Sequence, residues 1–299
     1  MKKNLKTILL SLVVMALWGS LYPMVKVGYR VFDISSASVP NILLFAGMRF
    51  SICGAVVCGY SLLRKEKLPE PKKNSILTIL LIGLFSIVLH YTCTYIGLST
   101  TAGSKTALIK QLGALIYVCF AFLFFKNERF SVLKIVAAII GFTGIIAINY
   151  DPKGISFSAG DILIIGASFC TVAANVINKK SAGEISAFWV TGISQLAGGI
   201  VLLAASLIMG ADMLRFDFYS GVVFAYICIA SVSSYTLWYY ILKTNSLSKM
   251  LIIKFAEPLF ACVFGAVLLG ENIFRLQYAV AFVLISLGII LGNKSEAKK

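Results

Sequence analysis

Residues 91–110 read YTCTYIGLSTTAGSKTALIK, and residues 235–254 read YTLWYYILKTNSLSKMLIIK. Laid together without a gap, 9 of the 20 positions are identical. Tyr91, Thr92, Tyr95, Leu98, Thr100, Ser104, Lys105, Ile109 and Lys110 match Tyr235, Thr236, Tyr239, Leu242, Thr244, Ser248, Lys249, Ile253 and Lys254. Two unrelated apolar segments share about two positions in twenty, and self-similarity at a fixed offset marks an internally repeated architecture. Each copy leaves one long apolar segment, crosses a short polar turn and enters another. Each places a lysine inside that second segment, where hydrocarbon makes an ammonium costly and marks a candidate functional site.

The chain around this pair is built for lipid. Of its 299 residues 59% are hydrophobic and 13% charged, with a mean hydropathy of +0.92. A soluble domain carries about 25% charged residues. The apolar runs suffice to cross a hydrocarbon core of about 30 Å at about 1.5 Å per residue. The spacing predicts an all-α integral membrane protein with ten helices, over 5–27, 38–63, 75–98, 103–125, 132–150, 159–179, 186–209, 218–242, 247–269 and 276–293. The longest connections, around 63–75 and 210–218, are too short to hold a soluble domain. Lys2, Lys3 and Lys6 before an apolar run imitate a signal peptide. The run continues as a full span without a small-residue cleavage site, so it is read as the first helix.

The net charge of +15 would suggest nucleic acid in a soluble protein. Here no basic domain with interleaved aromatics exists, so nucleic acid is not an expected partner. The charge follows instead from the loops. With the N-terminus in the cytoplasm, 18 of the 27 basic residues lie inside and six outside, and Arg49, Lys110 and Lys254 lie within the membrane. Positive residues favour the cytoplasmic side, so both termini are expected there, in the cell membrane. The seven cysteines all fall in apolar segments without metal-ligand spacing, and are expected to pack as small apolar residues. No metal and no cofactor is expected.

The orientation gives the repeat its meaning. The first copy enters the fourth helix from outside, and the second enters the ninth from the cytoplasm. Five helices per half, an odd number, make residues 1–150 and 151–299 an inverted 5+5 repeat about an axis in the membrane plane, as in many transporters. Lys110 and Lys254 then approach the midplane from opposite sides, each about 11 Å below its helix end. Both are candidate substrate-binding residues. Glu257, three residues beyond Lys254, is expected either to pair with it on one helical face or to serve as a proton-coupling site. Pro258 frees a backbone carbonyl and is a gating candidate. Tyr91, Tyr95, Tyr235, Tyr239, Trp18 and Trp238 are candidates for a cavity wall, and His90, the one histidine, for a substrate contact or proton shuttle. Arg49 is expected to pair structurally. Asn175 and Asn178 are expected to bond between helices, and Lys105 and Lys249 to reach the headgroups.

Each half ends its fourth helix on an acidic turn, Phe124–Phe125–Lys126–Asn127–Glu128 and Leu268–Leu269–Gly270–Glu271. With Ala256–Glu257–Pro258, Trp18–Gly19 and Arg49–Phe50, this set resembles the drug/metabolite transporter superfamily, EamA type, over nearly the whole chain. The first half departs from the pattern, with Lys126–Asn127 in place of the usual glycine and no counterpart of Pro258. The resemblance implies a ten-helix transporter with a central cavity between its halves. Organellar phosphate translocators of the same superfamily resemble it at two positions, binding anions with lysines on helices 4 and 9. The expected function is therefore secondary transport of a small polar metabolite, anionic or zwitterionic, such as an amino acid. An exporter of lipophilic or cationic drug-like compounds is the alternative. A membrane-embedded enzyme would need a catalytic cluster, and no catalytic residue is expected. No nucleotide-binding loop occurs, so coupling is expected from a gradient or from the substrate. The expected partners are a small-molecule substrate and membrane lipids, with the chain as a monomer or homodimer.

Overall fold

The computed structural model describes residues 2–67, 73–124, 131–148, 150–151, 154–155, 157–180, 186–244, 254 and 256–297. Its helices are α1 (Lys2–Val31), α2 (Val39–Leu63), α3 (Lys73–Gly83), α4 (His90–Thr100), α5 (Gly103–Phe120), α6 (Val132–Ile148), α7 (Ala159–Lys180), α8 (Ala187–Ile208), α9 (Phe218–Thr244), α10 (Ala256–Leu269) and α11 (Leu276–Ala297). A π-helical segment, Leu84–Leu89, joins α3 to α4, so that Ser75–Thr100 forms one apolar span. A two-residue antiparallel ladder, β1 (Tyr150–Asp151) with β2 (Gly154–Ile155), links α6 to α7. Among the described residues six helices are long and apolar enough to cross a membrane, and α6, α10 and α11 carry shorter apolar stretches. The acidic turn at Glu128 and the second-copy residues 245–253, Lys249 among them, lie outside the described residues.

In lipid no hydrophobic force draws two apolar helices together, so close backbone approach carries the packing. The sequence supplies it with glycine along two seams. On α2, Gly47 faces Leu203 and Gly199 of α8, and Gly54 faces Leu196 and Gly192. A Cβ on Gly54 would stand 2.6 Å from Leu196 Cα and 2.8 Å from the Gly192 carbonyl, both backbone atoms. As the α2 numbers rise the α8 numbers fall, so the pair is antiparallel. The second seam joins α6 to α11, with Gly141 against Gly288 and Gly144 against Ile285, again antiparallel. α1 packs on α9 and α10, while α7 packs on α4 and α5.

Two apolar cores result. One gathers aromatic residues of α1, α2, α4 and α9, including Tyr29, Phe45, Phe50, Tyr95 and Phe224. The other joins α5, α6, α7 and α11 around Leu115, Ile164 and Ile285. The candidate site lies at the edge of the first core, where the two halves of the chain meet.

Candidate functional site

Gly19 sets the first contact. A Cβ there would come within 2.8 Å of the Ala261 nitrogen and the Glu257 carbonyl oxygen. Its absence lets α1 lie directly on α10. One turn further along α1, Tyr22 donates its hydroxyl to Glu257 Oε1 at 2.6 Å. Glu257 Oε2 is buried and has no hydrogen-bond partner among the described residues. The expected neutralising pair between Glu257 and Lys254 is not formed: among the described residues no ion pair joins them. The Lys254 ammonium stands 5.6 Å from the Trp18 ring centroid. Pro258 is buried beside Glu257, and Tyr239 lies in α9 with its side chain outside the described set.

Lys110 of α5 points into the same cluster. Its Nζ lies 3.1 Å from His90 Nε2 and packs over the rings of Tyr22 and Tyr91, at 5.2 and 5.7 Å. His90 follows directly on the π-helical segment, a feature frequent at functional sites. Its Nδ1 lies 2.9 Å from the Ala167 carbonyl and 2.9 Å from Thr171 Oγ1. A carbonyl only accepts, so Nδ1 carries the proton and the Nε2 lone pair is left for the Lys110 ammonium. Glu257, Lys254 and Arg49 are near enough for their charges to act on Lys110.

Arg49 is the third cation, only 1% exposed. It donates Nε and Nη2 to Ser231 Oγ, at 3.0 and 2.7 Å, and Nη1 to the Tyr95 hydroxyl. Its guanidinium lies 4.7 Å from the Phe50 ring and 5.6 Å from the Tyr91 ring. The structural pair expected for Arg49 is thus made with hydroxyls and aromatic faces, not with a carboxylate.

Tyr91 and Tyr235, equivalent residues of the two copies, meet hydroxyl to hydroxyl at 2.9 Å. Trp18 packs on Tyr235 and on Trp238, with centroids 5.7 and 5.2 Å apart. The structure thereby brings Trp18, His90, Tyr91, Tyr95, Lys110, Tyr235, Lys254 and Glu257 into one connected cluster. With Arg49, the cluster holds three cations and, among the described residues, one carboxylate. Such a set can hold an anionic group in a low-dielectric setting. Sequence reasoning missed Tyr22, Ser231 and Thr171. Only Tyr22 left a signal, four residues after Trp18 on the same helical face.

The two ends of the bundle differ. Where α5 begins, a polar seal closes it. Gly270, at φ +65°, turns the chain at the end of α10 and aims Glu271 at α5. Its carboxylate accepts the Gly103 and Ser104 N–H groups at 2.7 and 3.0 Å and the Ser104 hydroxyl at 2.6 Å. Lys105, expected at the headgroups, pairs instead with Asp161 at 2.9 Å. Asp161, in the first turn of α7, is wholly buried and also accepts the Ser158 N–H at 2.9 Å. Lys26 donates to the Thr101 carbonyl at 2.8 Å. Toward the opposite end, where α3 begins and α7 ends, lies a recess of about 70 Å³. Ser86, Asn175, Asn178, Thr191 and Gln195 line it, with Tyr235 on its wall. The two asparagines, expected to bond between helices, also line this recess.

Comparison with known proteins agrees with this architecture. The EamA-like transporter family matches residues 5–150 and 158–293. The chain is 26% identical over 287 residues to an uncharacterized inner membrane transporter of Escherichia coli K12, YedA, covering 91% of this chain and 88% of that one. It is 24% identical to the Bacillus subtilis transporter YvbV, over 98% of this chain and 94% of that one. A solved crystal structure shares the fold, with a TM-score of 0.65 and 18% identity over 98% of both chains. Two matched segments that together span nearly all of the helices leave one assignment: the chain belongs to the EamA-like transporter family of drug/metabolite transporters and is a multi-pass membrane transporter.

Proposed function

We propose that the protein is a secondary transporter of a small polar anion or zwitterion, working by alternating access between two inverted five-helix halves. The observation that carries the substrate class is the cluster itself. Arg49, Lys110 and Lys254 lie over the aromatic rings of both halves, and among the described residues the cluster holds one carboxylate, Glu257, bonded to Tyr22. A carboxylate or phosphate on the cargo offsets that excess of positive charge.

The packing supports the inversion. The offset from Tyr91 to Tyr235 is 144 residues. Applied to the whole chain, it carries α2 onto α8 and α6 onto α11. Both pairs run antiparallel. An axis along the membrane normal would leave equivalent helices parallel, whereas an axis in the membrane plane turns one over. The packing of α1 on α9 and α10 and of α7 on α4 and α5 is likewise exchanged by the offset. With both termini cytoplasmic, the Glu271–Ser104 seal faces outward and the recess opens inward. That is one of the two states alternating access requires.

Glu257 is the proposed coupling group and Pro258 the proposed hinge. Protonating Glu257 would remove the negative charge opposing cargo at Lys110 and Lys254, linking proton uptake to anion binding. The lipophilic-cation reading is favoured by the Glu257 Oε2, which has no partner among the described residues. Uptake by proteoliposomes decides between them. Polar organic anions should enter the liposomes with wild-type protein, and Lys110→Gln and Lys254→Gln should each cut apparent affinity about ten- to a hundredfold, the worth of a charge-assisted contact. Uptake of tetraphenylphosphonium alone, abolished by Glu257→Gln, would overturn the anion reading.

A further inference from the structure

We propose that the recess among α3, α7, α8 and α9 is a second subsite, which holds the uncharged, hydrogen-bonding end of the cargo. The cargo on this reading joins a carboxylate at one end to carboxamide or hydroxyl groups at the other. The inference rests on the transport reading above and names the substrate class within it.

Gln195 is the first observation. It lines the recess and is only 2% exposed, yet its Oε1 has no hydrogen-bond partner among the described residues. A buried carbonyl oxygen left without a donor is costly, and buried polar groups are otherwise almost always satisfied. A donor on the cargo, an amide N–H or a hydroxyl, would satisfy it. The second observation is the rest of the lining. Asn175, Asn178, Ser86 and Thr191 contribute amides and hydroxyls, and no charged side chain lines the recess among the described residues. Such a wall offers little to a lipophilic cation and cannot neutralise a carboxylate. It suits neutral donors and acceptors, and its volume of about 70 Å³ leaves room for a small polar end group.

The recess also connects to the cations. Tyr235 forms part of its wall and meets the Tyr91 hydroxyl at 2.9 Å. The Tyr91 ring in turn carries Lys110 at 5.7 Å and Arg49 at 5.6 Å. One tyrosine pair therefore links the cationic cluster to the neutral polar recess. A cargo that spans the pair places its carboxylate at Lys110 and its neutral end at Gln195.

Titration calorimetry of the full chain in lipid nanodiscs tests this with defined probes. L-glutamine and D-gluconate carry the required neutral end, L-leucine and hexanoate are apolar-ended controls, and tetraphenylphosphonium is the cationic control. At least one polar-ended probe should bind about tenfold more tightly than its apolar-ended control, the upper worth of one neutral hydrogen bond. Gln195→Leu should erase that margin and leave the affinity for leucine unchanged. Because Gln195 is buried, Asn175→Leu on the exposed rim serves as the variant that spares the core, with the same expected loss. The proposal is overturned if no polar-ended probe exceeds its control, or if the margin survives both substitutions. Proteoliposome uptake of the same probes separates the two levels of the account. Transport of leucine, hexanoate or tetraphenylphosphonium without preference for a polar end removes the subsite and keeps the transporter. Neither binding nor passage of any probe removes both.

Discussion

Replacing Glu271 with glutamine should loosen the sealed end of the bundle. In the closed arrangement one carboxylate takes three donors at the start of α5: two backbone N–H groups and the Ser104 hydroxyl. It also sits where the helix presents its positive end. Glutamine keeps one oxygen acceptor, but its NH2 group faces donors and the charge is gone. Losing a charge-assisted bond costs about 1.5–3 kcal/mol, and Glu271 is only partly buried, so the net loss for all three contacts is about the same figure. That shifts the equilibrium toward an opened end by about ten- to a hundredfold. Thr106, one turn inside α5 and wholly buried, is a suitable reporter. In a background without the native cysteines, Thr106→Cys should react slowly with a membrane-impermeant thiol reagent. Glu271→Gln should raise its rate at least tenfold, up to the limit set by full opening. A lowered melting temperature with an unchanged labelling rate would refute the reasoning, for Glu271 would then cap α5 without holding the end shut.

Gly54→Leu should prevent folding or lower the melting temperature severely. The new Cβ meets only backbone of α8, and overpacking of this kind costs about 1–3 kcal/mol or more. Normal expression and melting of this variant would remove the glycine seam as a determinant of the fold. Arg49→Leu should also destabilise the fold, by leaving the Tyr95 and Ser231 hydroxyls around it without their donor, and Arg49→Lys should rescue only in part because one ammonium cannot reproduce the fork. Equal melting temperatures for all three proteins would contradict this. At the start of α9, bonds from the Ser220 backbone N–H and hydroxyl hold the Asp217 carboxyl below its ordinary value. A group lowered in the folded state lends stability above its unfolded pKa, about 3.9, and loses it as the pH falls through the folded value. Melting between pH 6 and pH 3 should therefore drop less steeply for Asp217→Asn than for wild type, and parallel profiles would show that the cap contributes nothing.

Much of this architecture was legible in the chain. Hydropathy fixes depth in the membrane, so Arg49, Lys110 and Lys254 were recognisable as intramembrane cations, and the matched copies revealed that Tyr91 and Tyr235 are equivalent. What hydropathy does not carry is rotation about a helix axis or the partner across a contact. Asn175 and Asn178 share a helical face in either case, and only packing decides whether that face meets a helix or a recess. Lys105 stands one turn from a helix end, which suits headgroups equally with an acidic partner. Asp161 became that partner because its own helix start is packed against Thr101. Spacing of three residues left Glu257 either to pair with Lys254 or to titrate, and that the Tyr22 hydroxyl takes its Oε1 follows only from the close packing at Gly19. The orphaned Gln195 carbonyl had no signal in sequence, since burial without a partner is a property of the assembled bundle alone.

The inverted repeat is the claim on which the rest depends, and a pair of cysteines tests it directly. Thr100 ends α4 and its equivalent Thr244 ends α9. Inverted halves place these two positions on opposite faces of the membrane, and parallel halves place them on the same face. In intact cells a membrane-impermeant thiol reagent should label Thr100→Cys, and should label Thr244→Cys only after permeabilisation. Labelling of both variants in intact cells, or of both only after permeabilisation, would contradict the account.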